Sequence, residues 1–146
     1  MITCSKDYPD FPFAHRQPVH DGHCAYIHGH NWSFHFTFAA EEKDECGFVL
    51  DFGKLKKLKA WLDYMFDHTC VINHDDPHRE FLESLDQGTD KPLLDLRTIP
   101  DCSCEGIAEF VFQKAGRLVT DISGGRAHIV SVTVKEDSKN SATYTR

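Results

Sequence analysis

No stretch of this chain is both long and apolar enough to span a bilayer. The opening Met1-Ile2-Thr3-Cys4-Ser5-Lys6-Asp7 also lacks the apolar core of a secretory signal, so a cytoplasmic protein without membrane contact is expected. Positive charge is scarce too. Sixteen Lys and Arg stand against 23 Asp and Glu, for a net charge of −7, and no basic stripe breaks that balance. This argues against nucleic acid or an anionic membrane as partner, and an anionic small substrate would need a local positive cluster working against the overall field. The six cysteines (4, 24, 46, 70, 102 and 104) lack the dense spacing of a disulfide scaffold and are expected as reduced thiols. Cys102-x-Cys104 has no partner pair at zinc-finger spacing and is not read as a metal pair. Nothing in the 146 residues, 40% hydrophobic and 27% charged, calls for a second domain.

What the chain does have is one stretch around which the rest can be arranged. From Trp32 the aromatics recur at every second position through Phe34, Phe36 and Phe38, the period of a strand with one buried face. Carried backward, that alternation puts His28 and His30 on the aromatic side, with Cα atoms ~7 Å apart. Two such imidazoles can converge on one metal ion. A catalytic zinc commonly takes three protein ligands and keeps one position open, so a third is needed. His15, in the apolar run Phe11-Pro12-Phe13-Ala14-His15-Arg16, is the nearest candidate and would lie on the preceding strand. The loop between them can return Cys24 beside the metal. There the thiol could be a reactive group, a fourth ligand or a small buried hydrophobe.

Further along, Glu41 to Gly47 reads as a polar turn, and Asp51 as the N-cap of an amphipathic helix to Phe66. Leu55, Leu58, Leu62 and Met65 form its buried stripe, and the lysines at 54, 56, 57 and 59 its wet side. Asp67 and His68 follow. This histidine is either an acid-base group or a cap at the helix C-terminus. Residues 74 to 101 are irregular, with a short helix expected at Arg79 to Leu85, and a connection this long is often a lid or an intersubunit contact. Ser103 can cap a second helix from Cys104 to about Leu118, with Ile107, Val111, Ala115 and Leu118 buried. The strand Ala127 to Glu136 would then place Val130, Val132, Val134 and Glu136 on one face, and Ala142 to Thr145 form a returning strand. Glu136 either reaches solvent or accepts paired N–H donors from a planar ligand. The order is strand, strand, helix, helix, strand, strand: an α+β fold with a four-stranded antiparallel sheet and both helices on one face, in a single domain over residues 1–146.

Taken together in this order, several motifs resemble the 6-pyruvoyltetrahydropterin synthase and 6-carboxytetrahydropterin synthase family, of the tunnelling fold. They are Phe11-x-x-Ala14-His15-Arg16, Cys24-x-x-x-His28-Gly29-His30-Asn31, Asp51-Phe52, Asp67-His68, Glu105 and Lys135-Glu136. The resemblance implies that His15, His28 and His30 hold a catalytic zinc ion and that Cys24 abstracts protons. His68 would be its relay partner, helped by Asp67, while Glu136 anchors a pterin ring, with Glu105 and Cys104 also at the substrate. The implied substrate is 7,8-dihydroneopterin triphosphate and the implied assembly a homo-hexamer of two stacked trimers, each closing a twelve-stranded barrel with sites at subunit contacts. Cys24 lies four positions before His28, a gap that resembles the 6-carboxytetrahydropterin synthases of the 7-deazaguanine (queuosine) pathway more than the pyruvoyl-forming enzymes. The competing expectations are the pyruvoyl-forming activity and a zinc-binding protein without turnover. The chain departs from the family in having Cys104 where a Thr or Ser usually stands, and in its long acidic connection. Arg16 is the basic residue nearest the motif, and no partner for the triphosphate is assigned.

Overall fold

A computed structural model describes all 146 residues. Its scaffold is the expected antiparallel set. β1 (Ile2–His15) pairs with β2 (His28–Ala40), β2 with β5 (Ala127–Lys135), and β5 with β6 (Ser141–Thr145). Two helices lie on one face. α1 (Lys56–Phe66) follows a 3-10 turn whose entry is capped by Asp51, which accepts from the Gly53 N–H. α3 (Cys104–Ser123) is capped by Ser103, which accepts from the Gly106 N–H at 2.9 Å. It ends at Gly124, whose φ of +63° suits a residue without Cβ.

The sheet has six strands rather than four. Two short strands, β3 (Cys70–Asn73) and β4 (Leu96–Ile99), add in parallel at the edge of β1, giving the order β4-β3-β1-β2-β5-β6. Each has only four residues, too few to display a period, and the Cys70-Val71-Ile72 run is buried throughout, so its apolar residues do not alternate. The connection from 74 to 101 therefore begins and ends on strands, with α2 (Arg79–Glu83) between them.

Three other boundaries move, each for a local reason. β1 starts nine residues before Phe11, because its first half alternates Thr3, Ser5 and Asp7 with a mixed inner face and carries no clean apolar signal. In α3 the buried stripe runs Ile107, Val111, Ala115 and Val119, so Val119 takes the place expected for Leu118, which is half-buried. In β5 the register slips between Thr37 and Phe38, which pair with Ser131 and Ile129. Val130 is the extra residue of that bulge, so the buried face reads Ile129, Val132, Val134.

The aromatic alternation of β2 is buried as expected, with Trp32, Phe34, Phe36 and Phe38 all under the helices. Tyr8 meets Phe36 edge-on at 5.7 Å, Phe11 meets Phe34 at 5.2 Å, and Phe13 stacks on Trp32 at 4.4 Å. Each such ring contributes ~1.5–3 kcal/mol by leaving water, so this ladder fixes the β1–β2 register firmly. It stops at Phe13 and Trp32. Beyond them the same face carries histidines.

Candidate functional site

The register of β1 and β2 builds the site. Phe13 lies opposite His30 and His15 opposite His28, so three imidazoles close the aromatic face at its open end. Their ring centroids lie 4.7, 5.5 and 5.0 Å apart for His15–His28, His15–His30 and His28–His30. One nitrogen from each falls within 4.8 Å of the others, forming a group that could hold a metal ion, and Cys24 is not part of it.

Two of the rings are aimed from behind. His15 Nδ1 donates to the Cys102 carbonyl at 2.7 Å, and His28 Nδ1 donates to the Tyr26 carbonyl at 2.7 Å. Each donation leaves Nε2 as a lone pair, the form in which imidazole binds a metal. His15 Nε2 is buried and has no protein partner. A buried polar atom without a partner is unusual and points to a missing ion or water. Burial pulls the His15 pKa down to about 4; the Cys102 hydrogen bond opposes this and the charges of His28 and His30 add to it. The ring is thus neutral at pH 7, as a ligand must be. Three imidazole nitrogens, one of them orphaned, fit a zinc-type site with an open position.

The imidazoles form the floor of a cleft of about 1030 Å3. Cys24 stands on its wall, half-buried in the short 3-10 turn His23–Ala25, and its carbonyl accepts from the Gln17 N–H at 2.8 Å. Glu136, with a side chain 22% exposed, has a carboxylate oxygen 4.0 Å from His30 Nε2. Cys104 and Glu105, at the start of α3, line the same cleft. The Cys104 thiol donates to the Val134 carbonyl at 3.4 Å. Burial first, and then the neighbouring Glu136 and Glu105 carboxylates, push its pKa up to about 11, so this thiol stays protonated at neutral pH. The structure therefore brings His15, His28, His30, Cys24, Glu136, Cys104 and Glu105 together.

Within one chain, Asp67 and His68 do not reach the cleft. They sit just past α1, where His68, at φ +58°, donates its backbone N–H to Pro12 and leaves its side chain 83% exposed. Asp67 Oδ1 accepts from His68 Nδ1 at 2.6 Å, so the two form a preset pair facing outward beside Gln87, Pro92, Leu93 and Leu94 of the long connection. Arg16 is also turned away, against the fully buried Asp76 carboxylate at 3.3 Å.

Sequence reasoning missed the far wall of the cleft. There the β5–β6 loop presents Lys139 and Asn140, and Asp137 Oδ1 accepts from both backbone N–H groups, at 2.8 and 2.7 Å. These hydrogen bonds hold the Asp137 pKa below its ordinary value. The available signal was an Asp followed by polar residues directly after Glu136, which is a turn signature. His23 and Gln17 also line the cleft.

Residues 3–146 match the family model described as 6-pyruvoyl tetrahydropterin synthase. The chain belongs to this family. A Rickettsia typhi protein named 6-carboxy-5,6,7,8-tetrahydropterin synthase is 35% identical over 109 residues, covering 74% of this chain and 75% of that protein. A Bacillus subtilis protein of the same name is 38% identical over 55 residues, 38% of this chain and 36% of that one. Among solved structures, an uncharacterised Wolinella succinogenes protein superposes with a TM-score of 0.83 at 20% identity, covering 99% of this chain and 98% of that one. The Plasmodium vivax 6-pyruvoyltetrahydropterin synthase superposes with a TM-score of 0.64 at 19% identity, covering 100% of this chain and 99% of that one. The fold is thus the family's tunnelling fold, here with a six-stranded sheet. No helix is long and apolar enough to cross a membrane.

Proposed function

We propose that this chain is a zinc-dependent 6-carboxy-5,6,7,8-tetrahydropterin synthase. It would convert 7,8-dihydroneopterin triphosphate and water to 6-carboxytetrahydropterin, acetaldehyde and triphosphate, in the cytoplasm, as a step of 7-deazaguanine (queuosine) synthesis. The observation that carries this reading is the convergence of three imidazole nitrogens within 4.8 Å at the floor of a cleft that also holds a thiol and a carboxylate. The four-position step from Cys24 to His28 and the names of the bacterial relatives favour the carboxy product.

His15, His28 and His30 would hold the zinc, which when bound acidifies C–H bonds beside the substrate hydroxyls it contacts. Glu136 accepts N–H donors from the edge of the pterin ring and fixes its orientation. Glu105 and the Cys104 backbone flank that ring, while the Cys104 thiol remains a protonated filler. Cys24 moves the protons at the side chain. Its partner would be His68 from an adjoining copy of the chain. Asp67 holds the His68 Nδ1–H, which leaves Nε2 to exchange a proton with the Cys24 sulfur. A site completed in this way requires an oligomer, which would be the homo-hexamer of two stacked trimers. Lys139 is the ammonium group at the cleft and is assigned to the triphosphate.

The test is incubation of purified protein with 7,8-dihydroneopterin triphosphate and identification of products by mass. Acetaldehyde with 6-carboxytetrahydropterin is the expected result. Triphosphate release without acetaldehyde would make it a pyruvoyl-forming enzyme, and unreacted substrate would leave a zinc-binding protein without turnover.

A further inference from the structure

The proposed mechanism leaves Cys102 and Asn73 without a task, yet every polar atom of Cys102 is committed. The residue is fully buried. Its N–H donates to Asn73 Oδ1 at 2.8 Å, its carbonyl accepts from His15 Nδ1 at 2.7 Å, and its thiol donates to the Arg16 carbonyl at 3.1 Å. One residue is therefore held at its N–H by Asn73 and holds His15 through its carbonyl, in the two peptide units on either side of its Cα. Asn73 ends β3, the strand parallel to β1 in which Val71 is aligned with His15. A strand that the antiparallel scaffold does not need thus supports the back of the histidine cluster.

We propose that Asn73 is a positioning residue for His15, acting through the backbone of Cys102; this rests on reading the histidine cluster as a metal centre. A carbonyl on an irregular loop orients an imidazole only if the loop itself is fixed. Here the fixing atom is a side-chain oxygen anchored in the sheet. Groups bonded directly to a ligand typically change metal affinity ~10–100-fold when removed, which bounds the effect of one that acts through a further residue.

The experiment measures zinc affinity by chelator competition, with the visible spectrum of the Co2+-substituted protein as a second readout, in the full chain and its variants. Asn73→Leu keeps the branched shape but removes the acceptor, and is expected to weaken zinc binding ~10-fold and alter the Co2+ bands. Asn73→Asp keeps an acceptor oxygen and is expected to restore both. If the leucine variant does not fold, Asn73→Ala makes the same deletion with less bulk and carries the same expectation. A merely structural role would lower stability and leave the affinity of the folded protein unchanged. Wild-type affinity in a folded Asn73→Leu or Asn73→Ala protein would overturn the role of Asn73 alone. A wild-type protein that takes up no zinc would overturn the metal reading and this inference with it.

Discussion

Replacing Gly106 with alanine sets two effects of opposite sign against each other. Gly106 lies in the first turn of α3, and the alanine preference of a helix would favour the change by at most ~1 kcal/mol. The added Cβ, however, would fall on Asp101, 2.6 Å from its Cβ and in overlap with its Cγ and backbone oxygen. Those atoms cannot swing aside freely. Asp101 Oδ1 accepts from the Ser103 N–H at 2.9 Å, and the next residue, Cys102, is fully buried. Overpacking costs ~1–3 kcal/mol, and contact with a backbone atom puts this case near the top of that range, for a net loss of ~2 kcal/mol. At ~2–4 °C per kcal/mol for a chain of this size, the melting temperature should fall by roughly 4–8 °C. The shift also moves the loop that carries the Cys102 carbonyl and the cleft residues Cys104 and Glu105, so zinc affinity should weaken as well. Thermal denaturation and zinc competition on Gly106→Ala measure both effects. An alanine variant as stable as the wild type, or more so, would refute this reasoning.

Three further outcomes are expected. Cys24→Ala should fold and keep its zinc but lose turnover by ~10²–10⁴-fold, the usual scale for removing a proton-transfer group; wild-type turnover would remove the thiol from the mechanism. Lys139→Gln should raise KM for the triphosphate substrate by roughly tenfold, equivalent to ~1.4 kcal/mol, with little change in kcat, and an unchanged KM would place the phosphates elsewhere. In metal-free protein, His15 has a folded pKa of about 4 against an ordinary 6.5. A lowered pKa gives stability that is complete above pH 6.5 and is lost as pH falls through 4, here ~3 kcal/mol from the 2.5-unit difference. The stability gap between chelated wild type and His15→Leu should shift by about that amount between pH 7 and pH 4, and parallel urea curves would contradict it.

Much of the site was legible because it rides on periodicity. The alternation from Trp32 to Phe38 is unbroken, so extrapolating it backward placed His28 and His30 correctly, and β1 supplied His15 from a short apolar run. Glu136 was found because it follows the buried face of β5, even though the bulge at Val130 shifts the first half of that strand. What failed to show were features without a period. β3 and β4 are each four residues long. The hydrogen bonds that aim His15 run between main-chain and side-chain atoms 87 and 29 residues apart, which no local pattern encodes. Asp67 and His68 are hydrogen-bonded to each other, which adjacency in sequence does not by itself require, and their distance from the cleft follows from the path of the chain after α1, not from residue type.

The proposed chemistry depends most on the ion at the three histidines, and X-ray absorption at the zinc edge of the purified protein tests it most directly. Three imidazole nitrogens at ~2.0–2.1 Å, completed by oxygen and without sulfur, are predicted. A sulfur at ~2.3 Å, as from Cys24, would mark a closed structural site and contradict the account.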